Sequence, residues 1–461
     1  MVTAVARFRS VNPATGEEIE AFDLSSAGEI DAALATAAGR ASRWGLTPID
    51  TRAQLLRDLA GVLRRDLELH AATITAEMGK ILSEARAEVE KCAFTCEYFA
   101  DHAAEFLADE PSPSDSPASF IAFQPLGTVL ACMPWNFPYW QVVRCLAPSV
   151  AAGNCVILKH ANNVTRCGLR LADACRDAGF PEGVFTMLVL PAVSVAAVIA
   201  DPRIKAVSIT GSTEAGRSVA SVAGANLKKC VLELGGSDAF VVLDDADIDA
   251  AAAMAAKSRF QNAGQSCIAA KRFIVADRVA EAFEEAFTAQ ARAISVGDPT
   301  DPATKMGPVA RDDARTTLRR QLDETIAAGA RILCGGGTPD RPGFFFEPTV
   351  IGRCDQSMTA FTEETFGPLA PVMRVRDDDQ AVAVANDTVF GLGGNVWSAD
   401  AERGLAVASR LHSGGVFING MTHSDPRIPF GGVGDSGYGR ELHRYGMHEF
   451  VNIKTVWRPA V

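Results

Sequence analysis

The stretch GTVLACMPWNFPYWQVVRCLAPSVAAGNCVILK, residues 127–159, decides the fold. A short β-branched run, GTVLACM, gives way to a helical stretch near 138–152, and a second run, CVIL, follows it. Strand–helix alternation at this spacing predicts parallel βαβ units and a doubly wound sheet. Towards the C-terminus the alternation continues through VFTMLVL, AVSI and CVLEL, separated by helical stretches near 164–178, 193–200 and 212–223. After about residue 236 it restarts. FVVL leads into a helix through 247–261, RFIV into a helix through 277–294, and RILC, PVMRV, GNVW and GVFIN follow as a second α/β domain. Towards the N-terminus, Ala-rich amphipathic stretches near 28–42, 51–70 and 71–106 read as helices, with Glu84, Glu88 and Lys91 on a polar face. LADEPSPSDSPAS (107–119) interrupts them as an exposed loop or sheet edge. The alternating FVNIKTVW near the C-terminus can pair with a strand near SFIAF (119–123), an edge of the kind that joins subunits.

A chain of 461 residues is too long for one simple core, so two large domains are expected. Hydrophobic residues at 48% and charged residues at 22% argue against disorder. A net charge of −12 is a poor match for nucleic acid or an anionic membrane. No apolar run approaches bilayer length, and MVTAVARFRSVNPATGEE lacks the layout of a secretion signal, so a cytoplasmic protein is expected. Eleven cysteines without a CxxC pair read as free thiols rather than a disulfide frame or zinc site. The seven histidines are scattered, and no HExxH pattern surrounds His443 and His448, so no metal is expected.

Five segments carry candidate chemistry. Cys267, in QNAGQSCIAAKRF, follows small residues and Gly264 on a tight, flexible loop that can present a thiol to a cavity. Alone it would read as one more buried cysteine. Glu233, in CVLELGGSDAF, ends an apolar strand before two glycines. Burial there would raise its pKa, which suits a general base, and the carboxyl end of a strand is where α/β sheets bind ligands. Asn136, in CMPWNFPYW, is placed either to cap a helix or to donate to an oxyanion. Lys159 ends its strand, and Gly211–Ser212 opens a turn into a helix; such a turn favours phosphate, but it is not GxGxxG.

Together these segments resemble the aldehyde dehydrogenase superfamily. The matching pieces are PWNFP (134–138), Lys159, TGSTEAG (210–216), LELGGSD (232–238), GQSC (264–267), EETFGP (363–368) and PFGGVGDSGYGRE (429–441), in the family's order over nearly the whole chain. The resemblance implies Cys267 as nucleophile, Glu233 as the base for hydrolytic water, and Asn136 with the Cys267 N–H as oxyanion donors. It implies that Lys159 and Glu364 hold the two riboses, that Ser212 meets the pyrophosphate and that Trp135 lines the cofactor cleft, with Gly211, Leu234 and Phe366 in the same site. It also implies a Rossmann-like cofactor domain (1–106 and 122–232), a catalytic domain (233–428) and a small β oligomerisation flap (107–121 and 443–461), assembled as a homodimer or homotetramer. Ala269 stands two residues after Cys267, so no neighbouring thiol can close a local disulfide there.

Within the superfamily, LKHANNV (158–164), QNAGQSCIAAKRFIV (261–275), GGVFINGMT (414–422) and EFVNIKTVW (449–457) resemble the bacterial succinate-semialdehyde dehydrogenases. Arg144 lies eight residues after Asn136, about two helical turns on, where it can hold a substrate carboxylate; the bland alternative is a surface arginine paired with an acid. Some relatives carry a second arginine where this chain has Gln261, so either the carboxylate grip is weaker here or Ser424 and its loop supply the rest. Glutarate semialdehyde is the alternative substrate, since one methylene changes discrimination by only about 1–3 kcal/mol. Asn162 replaces a glutamate common in NAD-preferring relatives, and His160 replaces a proline and could add positive charge. Both favour NADP, with NAD also used. Acyl transfer to coenzyme A and a non-catalytic binding protein are the other readings, and the presence of Glu233 and Cys267 opposes them.

Overall fold

The structure is a computed structural model that describes residues 7–112, 114–116 and 118–459. Pro113 and Pro117 of the interrupting segment, residues 460–461 at the end of the flap, and residues 1–6 of the stretch read for a signal lie outside the described residues. It has the expected α/β architecture of two doubly wound sheets and a small β flap. The six-stranded sheet runs, in spatial order, Gly437–Tyr438, Lys229–Glu233, Ile204–Thr210, Thr128–Met133, Cys155–His160 and Phe185–Leu188, parallel except for the first. Thr128–Met133 is buried along its whole length, as a parallel strand covered on both faces must be. The chain leaves this strand towards one edge through two crossovers, then returns to its other side at Ile204–Thr210. The ends of these two neighbouring strands therefore form a topological switch point, where open α/β sheets bind ligands. Residues 429–442, which the domain division from sequence left unassigned, return to this sheet through Gly437–Tyr438.

The seven-stranded sheet has the order Arg331–Cys334, Thr349–Gly352, Leu369–Val375, Ala270–Ala276, Asp238–Val242, Gly393–Trp397 and Gly415–Ile418. Packing of Phe240, Phe273, Phe283 and Phe287 fixes helices Ile248–Phe260 and Asp277–Arg292 against it, with the Phe273 and Phe287 rings 4.7 Å apart. In the flap, Val451–Val456 pairs antiparallel with Phe120–Pro125, so that Ile453 faces Phe123. Its other edge carries exposed Ile453 and Trp457.

Two expectations need correction. The first hundred residues are not all helical, because Arg7–Val11 and Glu18–Asp23 form an antiparallel hairpin around the Asn12–Gly16 turn. Glu84, Glu88 and Lys91 do not make a solvated face. Helix Leu82–Phe106 buries Ala85, Val89, Cys92, Cys96 and Phe99, and Glu88 lies within that stripe. Its exposed face is Ser83, Arg86, Glu90 and Phe94. No helix among the described residues is long and apolar enough to cross a membrane.

Candidate active site

Cys267 sits where two cavities meet. It is partly exposed, whereas nine of the eleven cysteines are buried, and all eleven are unpaired. One cavity, of about 690 Å³, lies at the switch point of the six-stranded sheet and is lined by Trp135, Asn136, Gly211, Ser212, Leu234 and Glu364. The other, of about 600 Å³, lies on the opposite side of the thiol and is lined by Lys91, Trp140, Arg144, Gln261 and Ser424.

The loop that presents Cys267 is tight but not free. Asn262, Ala263 and Gly264 have φ of 55°, 52° and 74°, three left-handed residues in succession. For the two non-glycine residues this conformation costs about 1–2 kcal/mol each. Hydrogen bonds hold it. The Asn262 N–H donates to both oxygens of Glu84 (3.2 and 3.1 Å), and Asn262 Nδ2 donates to the carbonyls of Asn136 (2.9 Å) and Gln265 (3.1 Å). A Cβ at Gly264 would collide with the Gly367 carbonyl. Buried Arg259 ties Gly264 to Thr365 and Gly367 through their carbonyls, and Lys271 donates to the Cys267 carbonyl (2.8 Å) and to Glu364 Oε1 (3.0 Å). The thiol is pushed up to about 11, chiefly by burial, while Arg144 and Lys271 pull it back down.

Asn136 is buried beside the thiol, and its Nδ2 donates to the Gln265 carbonyl at 3.1 Å. The Cys267 N–H has no acceptor among the described hydrogen bonds. Glu88 fixes the turn that follows Asn136. Its Oε1 accepts from the N–H groups of Tyr139 (2.9 Å) and Trp140 (3.0 Å), and its Oε2 accepts from buried Lys80. Glu233 ends its strand fully buried, with neither oxygen hydrogen-bonded, and points at Gly431. Burial, then the neighbouring Glu441, raise its pKa well above the carboxylate range. Its side chain lines neither of the two cavities.

A nicotinamide dinucleotide suits the residues of the switch-point cleft. Ser212 caps helix Thr213–Ala225 by accepting from the Ala215 N–H (3.2 Å), so a helix N-terminus faces the cleft as it would face a pyrophosphate. Trp135 and Phe366 make its walls, with ring centroids 5.7 Å apart. The Glu364 carboxylate, held by the Gly236 N–H (3.0 Å) and Lys271, could accept from a ribose hydroxyl in this cleft.

The sequence model of the aldehyde dehydrogenase family matches residues 2–456. This chain belongs to the aldehyde dehydrogenase family. A succinate-semialdehyde dehydrogenase [NADP(+)] of Mycobacterium tuberculosis is 48% identical over 451 residues, covering 97% of this chain and 99% of that one. The Escherichia coli K12 succinate semialdehyde dehydrogenase [NAD(P)+] Sad is 46% identical over the full length of both chains. The solved structure of the Streptococcus pyogenes succinic semialdehyde dehydrogenase in complex with NADP+ superposes with a TM-score of 0.96 at 38% identity, covering 98% of this chain and 100% of that one.

In this aldehyde dehydrogenase one site reading is overturned. His160 is buried, and its pKa is pushed down to about 4 by burial. With its proton on Nε2 it donates to the Pro138 carbonyl (2.9 Å), and Nδ1 accepts from the Ala161 N–H (3.0 Å). It carries no charge towards a cofactor; it fastens the Asn136 turn to the strand end. Arg144 lines the second cavity beside Cys267, where the helix spacing placed it, and it is not a surface group. It is buried in an ion pair with Glu441, donates to Thr210 Oγ1 (3.2 Å) and lies over the Phe430 ring. Lys159 ends its strand half-buried, and Asn162 is exposed in the following turn; neither lines the cleft. Lys271, Arg259 and Glu441 escaped the sequence reading as site residues, and Glu84, Glu88 and Lys91 were placed on a polar face instead. For Glu88 a signal existed, since its helical phase matches Val89 and Cys92.

Proposed function

We propose that this enzyme oxidises succinate semialdehyde to succinate, with NADP as preferred cofactor and NAD also accepted. The observation that carries this is the position of Cys267 between a dinucleotide cleft and a pocket whose charged lining is cationic. The relatives at 46–48% identity, named for this substrate, support it. An acidic protein with a net charge of −12 needs such local positive charge to attract an anionic aldehyde.

The Cys267 thiolate adds to the aldehyde carbon, and the carbonyl oxygen becomes an alkoxide. Asn136 Nδ2, released from the Gln265 carbonyl, and the free Cys267 N–H are the donors for that oxygen. Bound NADP supplies the hydride acceptor, and a Cys267 thioester remains. Water then attacks the thioester, Glu233 takes its proton, and succinate leaves as the thiol reforms. Burial makes the ionised Glu233 a stronger base than a surface carboxylate. To reach that water, its side chain must turn away from Gly431 towards the thioester.

The exposed edge of Val451–Val456, with Ile453 and Trp457, supports assembly as a homodimer or homotetramer, and we infer a cytoplasmic enzyme. The two sheets support the division into a cofactor domain (1–106 and 122–232), a catalytic domain (233–428) and a flap (107–121 and 443–461).

The test is kcat/KM for succinate semialdehyde, glutarate semialdehyde and butanal with each cofactor. Succinate semialdehyde with NADP is expected to rank first and to give free succinate even when coenzyme A is present. Butanal oxidised equally well would overturn the substrate, and NAD well ahead of NADP would overturn the cofactor preference.

A further inference from the structure

Helix Leu82–Phe106 carries two inward carboxylates, Glu84 and Glu88, four residues apart and so one turn apart on one face. They reach two segments that come from different sheets. Glu84 accepts the Asn262 N–H on both oxygens, at 3.2 and 3.1 Å, in the loop that leads through Cys267 to strand Ala270–Ala276 of the seven-stranded sheet. Glu88 Oε1 accepts from the N–H groups of Tyr139 (2.9 Å) and Trp140 (3.0 Å), in the turn that carries Asn136 away from strand Thr128–Met133 of the six-stranded sheet. These N–H groups open helix Trp140–Ala151, whose N-cap side chain makes no capping bond, so Glu88 caps that helix from outside. Lys80 pairs with the other Glu88 oxygen, and its Nζ lies 3.8 Å from the centre of the Phe137 ring, the residue after Asn136. Neither glutamate lines either cavity, so each acts through the segment it holds.

We propose that Glu84 and Glu88 are positioning residues that set the separation of the two oxyanion donors, Asn136 Nδ2 and the Cys267 N–H. This rests on the donor assignment made above. Two donors from two sheets help only if both aim at one oxygen, and a misplacement of about 1 Å can cost about 100-fold in rate. The two segments are also joined directly, by Asn262 Nδ2 to the Asn136 carbonyl (2.9 Å) and by Asn136 Nδ2 to the Gln265 carbonyl (3.1 Å). The second of these links is given up when Asn136 turns to the oxyanion. The two carboxylates hold backbone N–H groups instead, so their grip survives that exchange. The grip on Asn262 also keeps Asn262 and Ala263 left-handed, the conformation that aims the loop at the cleft.

The experiment uses the full-length enzyme and whichever aldehyde the wild type turns over fastest. Glu84→Asp and Glu88→Asp keep the charge but draw the acceptor back by one methylene. Each is expected to lower kcat roughly 10- to 100-fold while KM and NADP affinity change little. Glu84→Gln keeps the reach without the charge and is expected to retain most of kcat. So is Glu88→Gln when paired with Lys80→Met, which avoids leaving a buried ammonium unpaired. Alkylation of Cys267 by iodoacetamide forms no oxyanion, so its rate is expected to stay near the wild-type value in the aspartate variants. In an Asn136→Ala background Glu88→Asp is expected to cost no further kcat, because the donor it places is gone. If the aspartate variants keep wild-type kcat, if alkylation falls as far as kcat does, or if the Glu88→Asp loss is undiminished in Asn136→Ala, the assignment is overturned. If Asn136→Ala itself leaves kcat unchanged, the donor reading falls and the positioning role falls with it.

Discussion

The two cavities that share Cys267 are built by different means. The cofactor cleft is made of strand ends and turns: the Pro134–Asn136 segment after one strand, Gly211–Ser212 after its neighbour, and Leu234–Gly235 after a third. Its ligand-facing groups include backbone and a helix N-terminus, which follow from the topology of the sheet. The substrate pocket is made of long side chains from remote segments: Lys91 on one helix, Arg144 on another and Ser424 on a distant loop. Cofactor and chemistry therefore belong to the fold, whereas substrate choice belongs to a few side chains that can change without disturbing it.

The largest effect should fall on the residue common to both. Cys267→Ala is expected to lower turnover of every aldehyde by at least about 10⁴-fold, since the proposed mechanism passes through a Cys267 thioester. NADP binding, followed by quenching of Trp135 fluorescence, is expected to persist because the turns of the cleft do not depend on the thiol. Loss of binding as well would break the separation between the cavities.

Arg144 tests the separation from the pocket side. Arg144→Ala leaves Glu441 buried without its cation, and removing one partner of such a pair costs about 3–5 kcal/mol. The cost should depend on pH. Burial already raises the Glu441 pKa and Arg144 opposes that rise, so the variant's folded pKa lies higher still. A carboxyl raised in the folded state is stabilised by its proton, so the loss is small near pH 5 and grows as pH rises and the unfolded carboxyl ionises. Denaturation midpoints at about pH 5 and about pH 8 check this, and Glu441→Gln added to Arg144→Ala should recover part of the loss. If Arg144→Ala is as stable as wild type but loses only succinate semialdehyde turnover, Arg144 is the carboxylate anchor.

The same contrast explains what could be read without coordinates. Both sheets, the Cys267 loop and most of the cleft were legible because each rests on a local pattern: an apolar run, a glycine turn, a strand end. The helix Asp312–Ala327 and the strand Thr349–Gly352 were not, since neither belongs to a repeated strand–helix unit of matching length. Arg144 could be placed on the correct helix and in the correct pocket, but Glu441, almost three hundred residues away, could not be paired with it. Lys91 was misread for a related reason. Its helix follows the rule that charges face water everywhere except at Glu84, Glu88 and Lys91, which turn towards the Cys267 loop, the Asn136 turn and the pocket.

The smallest effect concerns Lys271, which joins the two sides by bonding both the Cys267 carbonyl and Glu364. Alkylation of Cys267 by iodoacetamide reports its thiolate, and the rate should climb about tenfold per pH unit towards about 11 before levelling. A cation near the thiol favours the thiolate, so Lys271→Met should move the midpoint upwards and slow alkylation at pH 8, by less than about tenfold. Glu364 acts in the opposite sense, so Glu364→Gln should move the midpoint down and speed alkylation. The ten other cysteines give a slow background that Cys267→Ala isolates. Opposite shifts in the two variants would mean that charge at Glu364 in the cleft is felt at the Cys267 thiol, so the cavities are separate in construction but coupled electrostatically. If neither variant moves the profile, the Lys271–Glu364 pair is neutral as seen from the thiol, and Arg144 on the substrate side is left as the main cation that lowers it.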